Sequence, residues 1–198
     1  MIAGLGNPGD KYQKSRHNAG FWFLDALAKQ QALNFSYEAR FQGELAKFNF
    51  EGDKVFLLKP MTFMNRSGTA VAAVARYFGI EPQRMLVVHD DIDFDVAVVR
   101  LKKGGGHGGH NGLKDIIQYL NTGDFYRLRI GVGRPPDANQ VISYVLQSPS
   151  TAESLELERA IDGALDLIPE LLRGEMQAVV NRLHRPKCEQ LKSNGENG

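Results

Sequence analysis

The chain has 198 residues, a length that on a prior of roughly 150 residues per domain describes one domain. Apolar residues make up 42% and charged residues 24%, with mean hydropathy −0.31 and a net charge of +1. This is a globular composition, and no apolar run approaches the ~18 residues that span a bilayer. A single cysteine, Cys188, excludes an internal disulfide, and the segment from Met1 to Gly6 carries neither a basic leader nor a long apolar stretch. Together these features predict a cytoplasmic protein with no membrane association.

In chain order, Ile2 to Leu5 reads as a short strand ending in a glycine turn, and Phe21 to Leu33 shows a helical apolar period. Phe41 to Phe50 and Lys54 to Leu58 read as strands joined at Glu51-Gly52-Asp53. Ser67 is the expected cap of a helix running to Phe78, with Gly79 and Pro82 as stop signals. Met85 to Val88 is an apolar run ending at His89-Asp90-Asp91, the pattern of a buried parallel strand with polar groups at its carboxyl end. Val96 to Lys102, Tyr126 to Val132 and Val141 to Leu146 read as further strands, and a helix begins near Asn111. A long helix over Thr151 to Leu172, strained by Pro169, and another over Met176 to Leu183 complete the pattern. Strands interleaved with helices predict a single α/β domain over residues 1–185, a three-layer α/β/α arrangement with a twisted mixed sheet. Residues 186–198 are polar and glycine-bearing, and disorder is expected there.

Charge is unevenly distributed. Arg100, Lys102, Lys103, Lys114, Arg127, Arg129 and Arg134 face only Asp115 and Asp124 within residues 100–134, a local positive surplus suited to a polyanion. By charge alone, a solvated surface would look the same. Within this zone lies Gly104-Gly105-Gly106-His107-Gly108-Gly109-His110-Asn111-Gly112, directly before a helix, where close backbone approach and free amides suit an anion. Gly4-Leu5-Gly6-Asn7-Pro8-Gly9 fits a dinucleotide fingerprint, but Asn7-Pro8-Gly9 favours a turn where that fold needs a helix start. Asp90, Asp93, His107 and His110 suggest a metal alternative, although His-x-x-His on a glycine loop is not the helical spacing of zinc hydrolases. His17, in the polar loop Ser15-Arg16-His17-Asn18, titrates near neutrality and suits general-base work if a carboxylate fixes its tautomer. Asn65 stands at a strand–helix junction, where its amide can serve an oxyanion or only bond the turn backbone.

Taken together, these segments resemble the bacterial-type peptidyl-tRNA hydrolase family. The matching blocks are Gly4 to Gly9, Tyr12 through Ser15-Arg16-His17-Asn18-Ala19-Gly20, Thr62-Phe63-Met64-Asn65-Arg66-Ser67-Gly68, His89-Asp90-Asp91-Ile92-Asp93, the glycine loop through Lys114, and Phe125 to Pro135. They keep the family's order over about residues 2 to 146, and six blocks in register are far more specific than any one.

The resemblance implies a cytosolic, monomeric, cofactor-free and metal-free esterase that releases tRNA from peptidyl-tRNA, with 1–185 as its catalytic domain. By position it implies His17 as general base, Asp90 as the acid that orients it, and Asn7 as the residue that distinguishes N-blocked substrates. Asn65 and Asn111 would position substrate, and Tyr12, Phe63 and Met64 would flank the peptide or terminal nucleotide. Lys102, His110 and Arg129 would meet tRNA. Ser15 stands where the family commonly has threonine, Asp95 where proline is frequent, and Ala138 where many members carry a lysine thought to touch tRNA. Two other readings are a metal-dependent hydrolase and a non-catalytic RNA-binding module.

Overall fold

The computed structural model describes residues 1–184, so the tail expected over 186–198 lies outside the described residues. Among the described residues, seven strands form one mixed sheet in the order β2-β3-β4-β1-β5-β7-β6. Its centre is parallel: β1 (Ile2–Gly4) lies between β4 (Asp53–Pro60) and β5 (Leu86–Asp91), and β5 pairs with β7 (Tyr126–Gly131). The edges are antiparallel, with β2 (Ser36–Glu38) and β3 (Gly43–Phe50) on one side and β6 (Val99–Lys103) on the other.

Strand alternation builds two cores. Ile2, Leu57, Leu86 and Val88 point to one face and pack with α1 (Ala19–Gln30), α5 (Thr151–Leu165), α6 (Ile168–Leu172) and α7 (Met176–Leu183). Ala3, Leu58 and Val87 point to the other face, where α2 (Ser67–Phe78) supplies Val71 and Val74 and α3 (Asn111–Leu120) supplies Leu113 and Ile116. The result is the expected three layers. Both faces of the central strands are covered, which is why Met85 to Val88 is apolar without alternation.

One close approach positions the rest. A Cβ on Gly20 would fall 2.3 Å from the Leu5 nitrogen and 2.4 Å from the Val88 oxygen, and one on Gly4 would fall 2.2 Å from the Gly20 oxygen. Glycine at both positions lets the first turn of α1 rest on the backbones of β1 and β5. That contact carries the 3₁₀ turn Arg16–Asn18 to the carboxyl end of β5.

Several expected boundaries shift. Val141 to Leu146 is not a strand: Asp137 accepts from the Asn139 amide, starting a 3₁₀ turn that continues into α4 (Val141–Val145). The β-branched residues suggested a strand, but Val141/Val145 and Ile142/Leu146 are i, i+4 pairs that all line one cleft. The long C-terminal helix is two helices, α5 and α6, and Pro169 sits unstrained in the first turn of α6, where it displaces no hydrogen bond. Ser67 is not a cap: it begins α2 after the 3₁₀ turn Met64–Arg66, and its hydroxyl donates to the Met64 carbonyl. The edge strand β2 carried too weak a pattern to be expected.

Candidate active site

A cleft of roughly 890 Å³ opens at the carboxyl ends of the parallel strands, where ligands of open α/β sheets sit. The residues to which the resemblance gave a role in the site all line it: Asn7, Tyr12, His17, Phe63, Met64, Asn65, Asp90, Lys102, His110, Asn111 and Arg129. Residues from six separate stretches of the chain therefore converge on one place.

At its floor, Asp90 ends the buried core of β5 with 2% side-chain exposure, and His17 reaches it from 73 residues away, Nδ1 to Oδ1 at 2.8 Å. A second imidazole, His110, brings Nε2 to the same oxygen at 3.0 Å. Burial alone would raise the Asp90 carboxyl, but the two imidazoles overcome it and hold the group well below the usual carboxylate range. Burial likewise acts to lower His17, and the charge and hydrogen bond of Asp90 outweigh it, so its affinity for a proton is raised. An ionised Asp90 accepts, so His17 donates from Nδ1 and leaves its Nε2 lone pair free. The arrangement can take a proton from water.

His110 is fixed from its other side. It caps α3, its Nδ1 accepting from the Leu113 amide, so its proton resides on Nε2. Ligand-type atoms of His17, Asp90 and His110 lie within 4.8 Å of one another. With His110 Nε2 protonated, however, that nitrogen has no lone pair for a cation, and the trio is a hydrogen-bonded cluster. The set Asp90, Asp93, His107 and His110, weighed as a metal alternative, does not assemble. Asp93 pairs with Arg134, and His107 Nδ1 accepts from the Gly109 amide. His89, adjacent to Asp90 and equally buried, donates from Nδ1 to the Asp90 carbonyl while Nε2 stays unpartnered among the described residues. Desolvation lowers its pKa to about 3, so it is neutral.

Asn7 and Asn18 are tied together: the Asn7 amide donates to Asn18 Oδ1 and Asn18 Nδ2 donates back to the Asn7 carbonyl. Asn7 Oδ1 accepts from the Met64 amide at 2.8 Å, which orients the Asn7 side-chain amide with its NH₂ free of protein partners among the described residues. Asn18 went unassigned in the sequence; its signal was its place in the same polar loop as His17.

The basic zone is largely paired within the protein. Arg129 binds Asp91 at 2.6 Å, Arg134 binds Asp93, Lys103 faces Asp124 at 3.7 Å, and Arg100 donates to the Leu183 carbonyl. Arg127, 3% exposed, donates to the carbonyls of Gly105 and Gly106 and so clamps the glycine loop. Lys102 and Lys114 remain exposed and make no ion pair among the described residues. Sequence reasoning also missed the apolar rim formed by α4. Arg16 holds it in place, stacking on Tyr144 at 4.2 Å and donating to the Ser148 carbonyl and the Glu153 carboxylate.

A family model for peptidyl-tRNA hydrolase matches residues 1–191. The chain belongs to the peptidyl-tRNA hydrolase family. It is 51% identical over 184 residues to a peptidyl-tRNA hydrolase of Coxiella burnetii (strain CbuG_Q212), covering 93% of this chain and 96% of that one. A Methylococcus capsulatus (strain Bath) relative is 52% identical over 93% of this chain and 98% of its own. The crystal structure of peptidyl-tRNA hydrolase from Acinetobacter baumannii superposes with a TM-score of 0.89 at 42% identity, covering 92% of each chain. Membership makes the protein an enzyme, a carboxylic ester hydrolase acting on peptidyl-tRNA in the translation-linked recycling of tRNA. Among the described residues, no helix is long and apolar enough to cross a membrane.

Proposed function

We propose that the cleft hydrolyses the ester between a peptide and the terminal ribose of tRNA by general-base catalysis from His17. The observation that carries this reading is the 2.8 Å bond from His17 Nδ1 to the buried Asp90, which leaves Nε2 free. Water loses its proton to Nε2 as its oxygen attacks the ester carbonyl. Asp90 holds the ring in its productive tautomer and stabilises the imidazolium. The tetrahedral intermediate then collapses, the ribose hydroxyl leaves, and the imidazolium returns the proton to it. A positioned base of this kind contributes on the order of 10² to 10⁴ in rate.

The remaining residues divide by chemistry. Asn65, exposed at the cleft beside Met64, supplies an amide donor to the oxyanion. Asn7, its oxygen already engaged by Met64, offers NH₂ to a carbonyl of the blocked amino terminus, and to a free ammonium that NH₂ presents only another donor. Asn111, at the first turn of α3 and lining the same cleft, positions the substrate. Tyr12 and Phe63 meet edge to face with centroids 6.5 Å apart and, with Met64, make an apolar flank for a side chain or terminal base. Lys102, the glycine loop and Arg129 receive backbone phosphate.

The test is release of an N-acetylated amino acid from tRNA, compared with unblocked aminoacyl-tRNA and repeated after exhaustive chelation. Rapid chelator-insensitive release of the blocked residue, abolished by His17→Ala, is expected. Near-normal turnover by folded His17→Ala would remove His17 as the base.

A further inference from the structure

Asp90 is an acid with two imidazole donors, and general-base catalysis by His17 calls for only one. Both His17 Nδ1 and His110 Nε2 reach the same Oδ1, at 2.8 and 3.0 Å, and the two rings lie 5.0 Å apart, centroid to centroid. His110 is held on both sides, by its cap on the Leu113 amide and by the edge-to-face contact with the His89 ring at 4.9 Å. Its side chain is only 9% exposed. An imidazole so enclosed, with its one N–H directed at Asp90, has little left to offer tRNA directly.

We propose that His110 is a positioning residue that acts through Asp90 to moderate the basicity of His17. This rests on the reading of His17 as the base. A donor to Oδ1 satisfies part of the carboxylate's negative charge and fixes which oxygen faces His17. With that donor removed, Asp90 concentrates its charge on His17, and His17 holds its proton more tightly. Over-stabilised imidazolium would leave less free base near neutrality, so the second donor keeps the base available. The titratable and charged groups around the cluster are His17 from the turn before α1, His89 and Asp90 from β5, His110 from the loop before α3, and Arg127 of β7 behind His89. Of these, His110 Nε2 is the group besides His17 that hydrogen-bonds the Asp90 carboxylate.

The cap and the donor can be separated by substitution. His110→Asn retains a capping oxygen for α3 but is too short to reach Asp90, whereas His110→Gln reaches Asp90 with an amide N–H and caps poorly. The experiment follows the His17 imidazole by NMR titration of the full-length, substrate-free protein, with the resonance assigned from His17→Ala, alongside the pH dependence of kcat/KM. The expected result is that His110→Asn raises the His17 titration midpoint and the acidic limb of kcat/KM together by about half to one pH unit. His110→Gln should return both near wild type while lowering Tm. A midpoint unmoved in His110→Asn, with only KM changed, would overturn the proposal. So would an identical shift in both variants, because the donor would then be irrelevant. A midpoint that moves while the rate profile does not would support the coupling and count against His17 as the base.

Discussion

Replacing Asp90 by asparagine tests the centre of the mechanism with the smallest change of shape. The residue is 2% exposed and touches two imidazoles, so the substitution removes a charge without opening a cavity. A hydrogen bond to a charged partner is worth about 1.5–3 kcal/mol, and each 1.36 kcal/mol of barrier is tenfold in rate. Losing that stabilisation of the imidazolium should lower kcat by about 10- to 150-fold. If the amide turns its NH₂ towards His17, it would force the wrong tautomer and the loss would approach ~10⁴. The pH profile should move as well. In the wild type Asp90 raises the proton affinity of His17, so the acidic limb should lie above the ordinary histidine value of 6.5. With the charge gone, burial alone remains and the limb should fall below 6.5. Steady-state release of N-acetylated amino acid from tRNA between pH 5 and 9, in the range of about two units either side of neutrality where histidine titrates, measures both effects. A kcat loss under about threefold, a limb that stays put, or a loss carried by KM would refute the reasoning.

Three further outcomes are expected. His89 has a folded pKa of about 3 against 6.5 unfolded, so the stability of its neutral form is complete above pH 6.5 and is lost as pH falls towards 3, at about 1.4 kcal/mol per unit. His17, shifted upward, has the opposite sign: its contribution is complete below 6.5 and is lost as pH rises through its folded value. Urea unfolding should therefore show wild type losing roughly 2–3 kcal/mol relative to His89→Gln between pH 7 and pH 4.5, and parallel curves would contradict this. Gly20→Ala should cost about 3 kcal/mol or more, because its Cβ meets backbone that cannot yield, whereas Gly163→Ala, with nothing within 4 Å, should gain about 0.5–1 kcal/mol; thermal melts decide both. Arg127→Lys should loosen the glycine loop, raising KM for the tRNA substrate about fivefold with kcat nearly unchanged and accelerating amide exchange over residues 104–110.

The elements that could be read from the sequence are those whose signals are local. Leu113, Ile116 and Leu120 give α3 its period, and Gly79 closes α2 in the left-handed conformation expected of it. What was hidden depends on tertiary contact. Val141 to Leu146 has strand-like residues, and only its packing at the cleft through i, i+4 pairs makes it helical. The meeting of His17 with Asp90 crosses 73 residues and depends on two glycines whose role is invisible until α1 lies on β1 and β5. The basic zone hid its geometry in a different way. Counting charges does not reveal that Arg127 and Arg100 face carbonyls, that Lys103, Arg129 and Arg134 face carboxylates, or that Lys102 and Lys114 are the two without an ion pair among the described residues. The family resemblance, carried by six ordered blocks, identified the residues of the cleft without showing how they touch.

Two neighbours on β5 show what that contact accomplishes. His89 and Asp90 are each 2% exposed, yet burial leaves one without charge and the other with it. The difference is not depth but partners. His89 finds a single carbonyl for one nitrogen and, among the described residues, nothing for the other, so desolvation outweighs what Asp90 offers its charged form and suppresses it. Asp90 receives imidazole donors from two segments that reach it independently, one carried by α1 and one by the cap of α3, and its anion survives where desolvation would otherwise remove it. A carboxylate kept ionised in such a place acts on His17 with far less screening than it would in water. On the proposed mechanism, the close approach of α1 to the central strands and the cap of α3 become conditions of the chemistry, and a variant that loosens either should lose activity before it loses its fold.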